Sequence, residues 1–306
     1  MRKKLIFMLS ALMLLLPRTA RSGPDETPAP GLLEEWLREA VAGKKARIGI
    51  AVILNGTDTV TVNNDYRYPM MSVVKFHQAL SVAAHLERRG QTLAERVYVG
   101  REALLPDTYS PLRDRYPQGD TTFAVSELLT YTLQLSDNNA CDILFREIGG
   151  PAATDRFIRS LGIEGFAVAA TEEQMHRNTQ ACCRNWSHPL DAALLLEMLL
   201  TRPLFEEASM QEFIVRTMTE CDTGRERLPA PLAGTGAVIG HKTGTGDPDA
   251  QGRLTGVNDI GFVLLPDGRH YTVAVFITDS EEPLPAAERI IADISGIVYQ
   301  FMTQTK

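Results

Sequence analysis

The sequence predicts an α/β fold: an antiparallel sheet flanked by helices, with an all-α segment inserted in its middle. Three observations lead there. An amphipathic helix and a strand pair open the chain, several helical stretches fill its middle, and strongly apolar strands return near the end before a last helix.

Residues 31–42, GLLEEWLREAVA, space their apolar side chains as a helix does. Residues 46–54 and 57–62 then read as two strands joined around Asn55 and Gly56. From Ser72, SVVKFHQALSVAAHLERRG has helical periodicity and is closed by Gly90. Further helices are expected over 125–135, 138–148 and 192–200. Strand signals resume in AVIGHKTG, DIGFVLLPDG and RHYTVAVFITD, with Pro266, Asp267 and Gly268 turning between the last two. A final helix is expected over about 286–302, and no internal repeat or low-complexity tract is present.

Ahead of all this, Arg2, Lys3 and Lys4 precede an apolar run from Leu5 to Leu16, the order of a secretory signal, with a cleavage point expected after Ser22. An uncleaved anchor is the alternative, although the run is short for a membrane span. The expected organisation is a signal over 1–22 and one domain over 23–306, its α/β part about 23–67 and 218–306 and its helical part about 68–217. Without Arg2, Lys3, Lys4, Arg18 and Arg21, the chain carries 26 basic against 38 acidic side chains, a net charge of about −12 that argues against nucleic acid as a partner. Its six histidines and four cysteines show no HExxH or paired CxxC spacing, so neither a catalytic metal nor another cofactor is expected. Cys141, Cys182, Cys183 and Cys221 allow three complete disulfide pairings, or none.

Chemistry concentrates at three places. Ser72 and Lys75 stand three residues apart on the first turn of a helix, so hydroxyl and amine share a face. A serine hydroxyl becomes nucleophilic when a nearby base takes its proton, and the helix N-terminus favours an oxyanion. Taken singly, such a pair is usually a capping serine beside a surface lysine. Ser136, Asp137 and Asn138 fall in the break between two expected helices, and Lys242, Thr243 and Gly244 lie on a strand near the end. Each string alone is common; their ordered co-occurrence is not.

In these strings the chain resembles the class A β-lactamases, within the penicillin-recognising serine enzymes, whose known signature is SxxK, SDN and KTG. The resemblance runs over essentially the whole chain after the signal and implies the β-lactamase/transpeptidase-like fold. It makes Ser72 the nucleophile, Lys75 its proton-relay partner and Ser136 the donor to the departing lactam nitrogen. Asn138 would hold the substrate's acylamino side chain and Lys75, whereas Asp137 would tie the turn together. Lys242, Thr243 and Thr245 would bind the β-lactam carboxylate. The N–H groups of Ser72 and Thr245 would form the oxyanion hole, and Gly244 would let the strand come close. Tyr109 would wall the cleft. Arg227 is either a second cation for the carboxylate or a surface arginine.

Hydrolysis of the acyl-enzyme needs a carboxylate to activate water. The resemblance assigns this to Glu172 in TEEQMH, with Glu173 and Glu164 as alternatives. The loop departs from the usual pattern: His176 stands where an asparagine helps hold the water, and Asp142 stands where many members carry asparagine. These features look most like the branch of the PER and CfxA/CepA enzymes, many of them cephalosporinases. The implied protein is a periplasmic monomer without stable membrane association that confers resistance by hydrolysing penicillins, cephalosporins or both. A penicillin-binding D,D-peptidase or a β-lactam sensor domain would share much of the site without needing Glu172.

Overall fold

The structure is a computed structural model and describes residues 30–304. The expected signal, 1–22, lies outside the described residues. Helix α1 (Pro30–Val41) leads to strands β1 (Arg47–Leu54) and β2 (Asp58–Val62). Between them Asn55 and Gly56 both take positive φ, as a tight hairpin requires. After β3 (Tyr68–Pro69) and a 3₁₀ turn over Met71–Val73, helix α2 (Val74–Arg88) begins. Strands β4 (Arg96–Val99) and β5 (Thr121–Ala124) pair around helix α3 (Pro111–Arg115) and lead to α4 (Val125–Gln134), α5 (Asn138–Ile148) and α6 (Pro151–Ser160). Then come β6 (Phe166–Ala167), α7 (Glu172–Arg177), β7 (Trp186–Ser187), α8 (Pro189–Thr201) and α9 (Ala208–Thr219). The chain returns through β8 (Val238–Thr245), β9 (Val257–Leu264) and β10 (His270–Thr278) and ends in α10 (Leu284–Gln304).

The main sheet has the order β2-β1-β10-β9-β8, antiparallel throughout. Strands from both ends of the sequence meet where β1 pairs with β10, from Arg47 opposite Thr278 to Leu54 opposite Tyr271. Alternation along these strands feeds two cores. Ile50, Val52, Val273 and Val275 pack with Leu33 and Leu37 of α1 and Ile291 and Val298 of α10. Ala51, Ile53, Ala274 and Phe276 face the helical side, where α2 is buried on nearly every face. A helix buried all round is a core element, and it gives Ser72 and Lys75 a rigid base.

Helices α3, α6, α7 and α9 were not anticipated from the sequence. The α6 segment is amphipathic but polar overall and buries only Thr154 and Ile158, so it does not stand out as an apolar stretch. Helix α8 lies in the expected helical part yet packs on β1 and β10, because its apolar stripe covers the sheet. A small sheet, β3-β7-β6, joins the segment just before Ser72 to the segment that carries Glu172. The four cysteines are all free.

Candidate active site

Ser72 lies in the 3₁₀ turn that precedes α2, not in the α-helix itself. Its predecessor Met71 has φ 49°, a left-handed backbone that costs on the order of 1 kcal/mol or more for a side chain of this kind and is kept where the surroundings enforce it. Asn258 of β9 does the enforcing, donating from Nδ2 to the carbonyls of Pro69 at 2.8 Å and Met70 at 3.1 Å. Edge strand β8 presses on the same turn. A Cβ on Gly244 would come 2.5 Å from the Met70 carbonyl oxygen, so only glycine lets the strand approach this closely.

Lys75 is fully buried, and its ammonium is the hub. Nζ donates to Ser72 Oγ at 2.9 Å, to the Ser136 carbonyl at 2.8 Å and to Asn138 Oδ1 at 2.5 Å. These three acceptors use its three protons. Glu172 Oε1 stands 3.0 Å from the same nitrogen, a contact of charge without hydrogen-bond alignment. Of the three candidate glutamates only Glu172 points inward: Glu173 pairs with Arg177, and Glu164 is exposed.

Ser136 has φ 58° and turns its hydroxyl between the two lysines, accepting from Lys242 Nζ at 2.9 Å with Lys75 Nζ at 3.5 Å. Asp137 ties the turn together, as expected. It accepts from the backbone N–H groups of Leu112 and Ala140 and from the Ser110 hydroxyl, while burial raises its carboxyl above the usual range. Asn138 donates its amide to Thr108 Oγ1 at 2.8 Å. Lys242 is fully buried; loss of hydration, reinforced by the nearby Lys75 charge, lowers it to about 8. A small open cavity of about 120 Å³ lies over Ser72, lined also by Asn138, Glu172, His176 and Thr245. Among the described residues no group of histidines, cysteines and carboxylates is arranged to hold a metal.

A hydroxyl, a buried ammonium and a carboxylate in line, beside an edge strand carrying a second buried lysine, form an acyl-transfer site. Comparison with known proteins agrees with that chemistry. Residues 32–302 match the model of the β-lactamase enzyme family. A β-lactamase of Bacteroides uniformis is 39% identical over 270 residues, 88% of this chain and 91% of that protein. The extended-spectrum β-lactamase PER-1 of Pseudomonas aeruginosa is 39% identical, with 88% and 87% covered. The crystal structure of a class A β-lactamase from Bacteroides cellulosilyticus superposes with a TM-score of 0.86 at 37% identity, covering 90% of this chain and 99% of that one. The chain belongs to the class A serine β-lactamases.

In this β-lactamase the rim residues sit as follows. Tyr109 is exposed beside the Ser136 turn, its carbonyl accepting the Asn138 N–H. His176, one helical turn beyond Glu172 on α7, is exposed at the cavity. Arg227 is not a surface arginine. It is 3% exposed and donates to the carbonyls of Gly244 and Asn258 and to Thr245 Oγ1 at 2.7 Å, with Glu288 of α10 as its ion-pair partner. So engaged, it orients Thr245 and steadies the end of β8.

Sequence reasoning missed several residues that hold Glu172 and the Ser72 turn in this β-lactamase. Asp142 was noted only as a departure, but its carboxylate accepts the N–H groups of Glu172 and Glu173, each at 2.8 Å, and so pins the start of α7 to α5. Burial raises Asp142 to about 6; the Glu172 charge adds to this, and the two N–H groups oppose it. Thr171 and Gln174 form a capping box at the same end, and the T-x-x-Q spacing was the available signal. Asn258 too was visible, with Asp259, as a polar pair within an otherwise apolar strand.

Proposed function

We propose that this class A β-lactamase opens the β-lactam ring through an acyl-enzyme on Ser72 and clears it with water activated by Glu172. The observation that carries the reading is the placement of Lys75 Nζ within 2.9 Å of Ser72 Oγ and 3.0 Å of Glu172 Oε1, which links nucleophile and carboxylate through one buried amine. Lys75 first passes a proton to Glu172 and, as the free amine, takes the Ser72 proton as Oγ attacks the lactam carbonyl. The oxyanion sits on the N–H groups of Ser72 and Thr245, and Ser136 hands a proton to the departing nitrogen and is reprotonated by Lys75, which recovers its own from Glu172. Lys242, Thr243 and Thr245 hold the substrate carboxylate, Arg227 acting through Thr245. Asn138 takes the acylamino side chain, Tyr109 walls the cleft, and His176 helps position the deacylating water. Glu172 then deprotonates that water, which attacks the ester, and Ser72 regains its proton.

The relatives named as extended-spectrum enzymes support cephalosporins beside penicillins as substrates. The chain acts without metal or cofactor, as a periplasmic monomer beginning near Gly23, and N-terminal sequencing of the purified native protein tests the export reading. No described helix is long and apolar enough to cross a membrane.

The mechanism is tested by intact-protein mass spectrometry over time after mixing with a good substrate. Ser72→Ala keeps its fold and forms no adduct. Wild type returns to its unmodified mass, whereas Glu172→Gln stays heavier by the mass of the opened lactam. Clearance by Glu172→Gln at the wild-type rate would remove Glu172 from the mechanism.

A further inference from the structure

The loop beside the Ser136 turn is held by a side chain that takes no part in the chemistry at Ser72. Residues 105–109 connect buried Leu104 to buried Ser110, and within them Pro106, Asp107 and Tyr109 are exposed. The Tyr109 carbonyl accepts the Asn138 N–H, and Thr108 Oγ1 accepts from Asn138 Nδ2 at 2.8 Å. Arg113 of α3 reaches back to this loop. Its Nη1 donates to the carbonyls of Leu105 at 2.9 Å, Pro106 at 2.7 Å and Thr108 at 2.6 Å, two protons shared among three acceptors.

We propose that Arg113 is a specificity-determining positioning residue: by gathering the carbonyls of the 105–108 loop it sets Thr108 against the Asn138 amide, and so raises the enzyme's preference for β-lactams that carry an acylamino side chain. This rests on the reading in which Asn138 takes that side chain.

Three carbonyl dipoles that converge on one point repel each other unless a cation lies among them, and hydrogen bonds from a charged donor are the stronger kind. Arginine suits the place. Its other edge, Nε and Nη2, donates to Asp114 Oδ1 at 3.1 and 2.7 Å, which turns Nη1 toward the loop. The Arg113 side chain is 22% exposed, so its loop contacts are largely shielded from water. An open hollow of about 880 Å³, lined by Leu104, Leu105, Pro106, Arg113 and Pro117, borders the loop, and packing from that side does not fix it. Asn139 fixes the near end, its amide pairing with the N–H and carbonyl of Leu105 at 3.1 and 3.2 Å. Ser110 fixes the far end through Asp137. Residues 106–108, between these anchors, depend on Arg113.

The path from Arg113 to Asn138 is two hydrogen bonds long, through Thr108. Asn138 Oδ1 accepts from Lys75 Nζ, so the amide is not free to flip and Nδ2 is turned away from that lysine. Thr108 takes one of the two Nδ2 protons, which fixes the direction of the other, the one offered to the carbonyl of the substrate's side chain. When Arg113 lets go, Thr108 shifts with its own carbonyl while Asn138 keeps Lys75. Acyl transfer on Ser72 is spared, and recognition of the side chain weakens.

The experiment compares two penicillins on the purified protein: benzylpenicillin, which carries an acylamino side chain, and 6-aminopenicillanic acid, which has the same ring system and carboxylate but a bare amine. Arg113→Ala is expected to lower kcat/KM for benzylpenicillin about fivefold, the worth of one loosened hydrogen bond, and to leave the value for 6-aminopenicillanic acid within about twofold. Arg113→Gln loses the charge but keeps bulk, and carries the same test if the alanine variant does not fold; Arg113→Lys, which returns a cation to the loop, should recover part of the preference. Thr108→Val should lose the same preference, and adding Arg113→Ala to it should cost less than about twofold more, because both act on one contact. An equal fall for the two substrates marks Arg113 as a general support and overturns the proposal. An unchanged preference in Arg113→Ala or Arg113→Gln overturns it too, as does full additivity with Thr108→Val. Asn138→Ala tells the two layers apart. If it leaves the preference unchanged, the acylamino reading falls with the proposal; if it removes the preference and Arg113→Ala does not, only the role of Arg113 falls.

Discussion

Replacing Asp142 by alanine tests whether the placement of Glu172 comes from one carboxylate on a neighbouring helix. Asp142 accepts two backbone N–H groups at 2.8 Å, one of them from Glu172 itself. Charge-assisted hydrogen bonds contribute about 1.5–3 kcal/mol each, but Asp142 is only partly buried and water can enter when it is removed, so a net loss of about 1–3 kcal/mol is the reasonable figure. Every 1.4 kcal/mol is about a factor of ten in the population holding Glu172 beside Lys75, which gives deacylation slower by roughly 5- to 150-fold. Acylation should change far less, because Ser72 and Lys75 are held by Ser136 and Asn138, which Asp142 does not touch. Asp142→Asn keeps one acceptor and should fall between wild type and alanine. Rapid mixing with a chromogenic cephalosporin separates the burst, which reports acylation, from the steady state, which reports deacylation. A growing burst with a slowed steady state is the expected pattern. Deacylation within twofold of wild type in Asp142→Ala would refute the reasoning and leave the capping box of Thr171 and Gln174 as the sufficient support.

Lys242, lowered by burial to about 8, loses its charge as pH rises through that value, so kcat/KM for carboxylate-bearing substrates should fall above about pH 8; a profile flat to pH 9.5 would contradict this. The same residue keeps its proton to about 10.4 when unfolded, so the unfolded chain binds more protons between these values and Lys242's share of folding stability rises with pH across that window, as denaturant titrations can check. Gly244→Ala should lower Tm through a strain of about 1–3 kcal/mol and reduce kcat by about 10²–10³ as Thr245 N–H is moved off the oxyanion, both readable on the purified variant. His176→Ala should slow deacylation by less than Glu172→Gln does, since it is assigned to positioning water and not to taking its proton; an equal loss would make His176 part of the proton path.

The local part of this site was written in the sequence. Three-residue spacing on a helical start puts Ser72 and Lys75 on one face whatever the rest of the chain does, and strand periodicity placed Lys242, Thr243 and Gly244 on β8. The antiparallel sheet was equally legible, because apolar strands with a Pro-Asp-Gly turn carry their pairing in their own composition. Helices α6 and α7 were not, since α6 is polar overall despite its amphipathic spacing and α7, at six residues, is too short to show a period. Tertiary structure alone decided which glutamate faces Lys75, that Arg227 is buried behind Thr245, that Asp142 pins Glu172, and that His241 meets Asp259. The physical reason is range: backbone periodicity is set within a few residues, whereas an ion pair or a hydrogen bond between residues 30 or 97 positions apart exists only once packing has brought their helices and strands together.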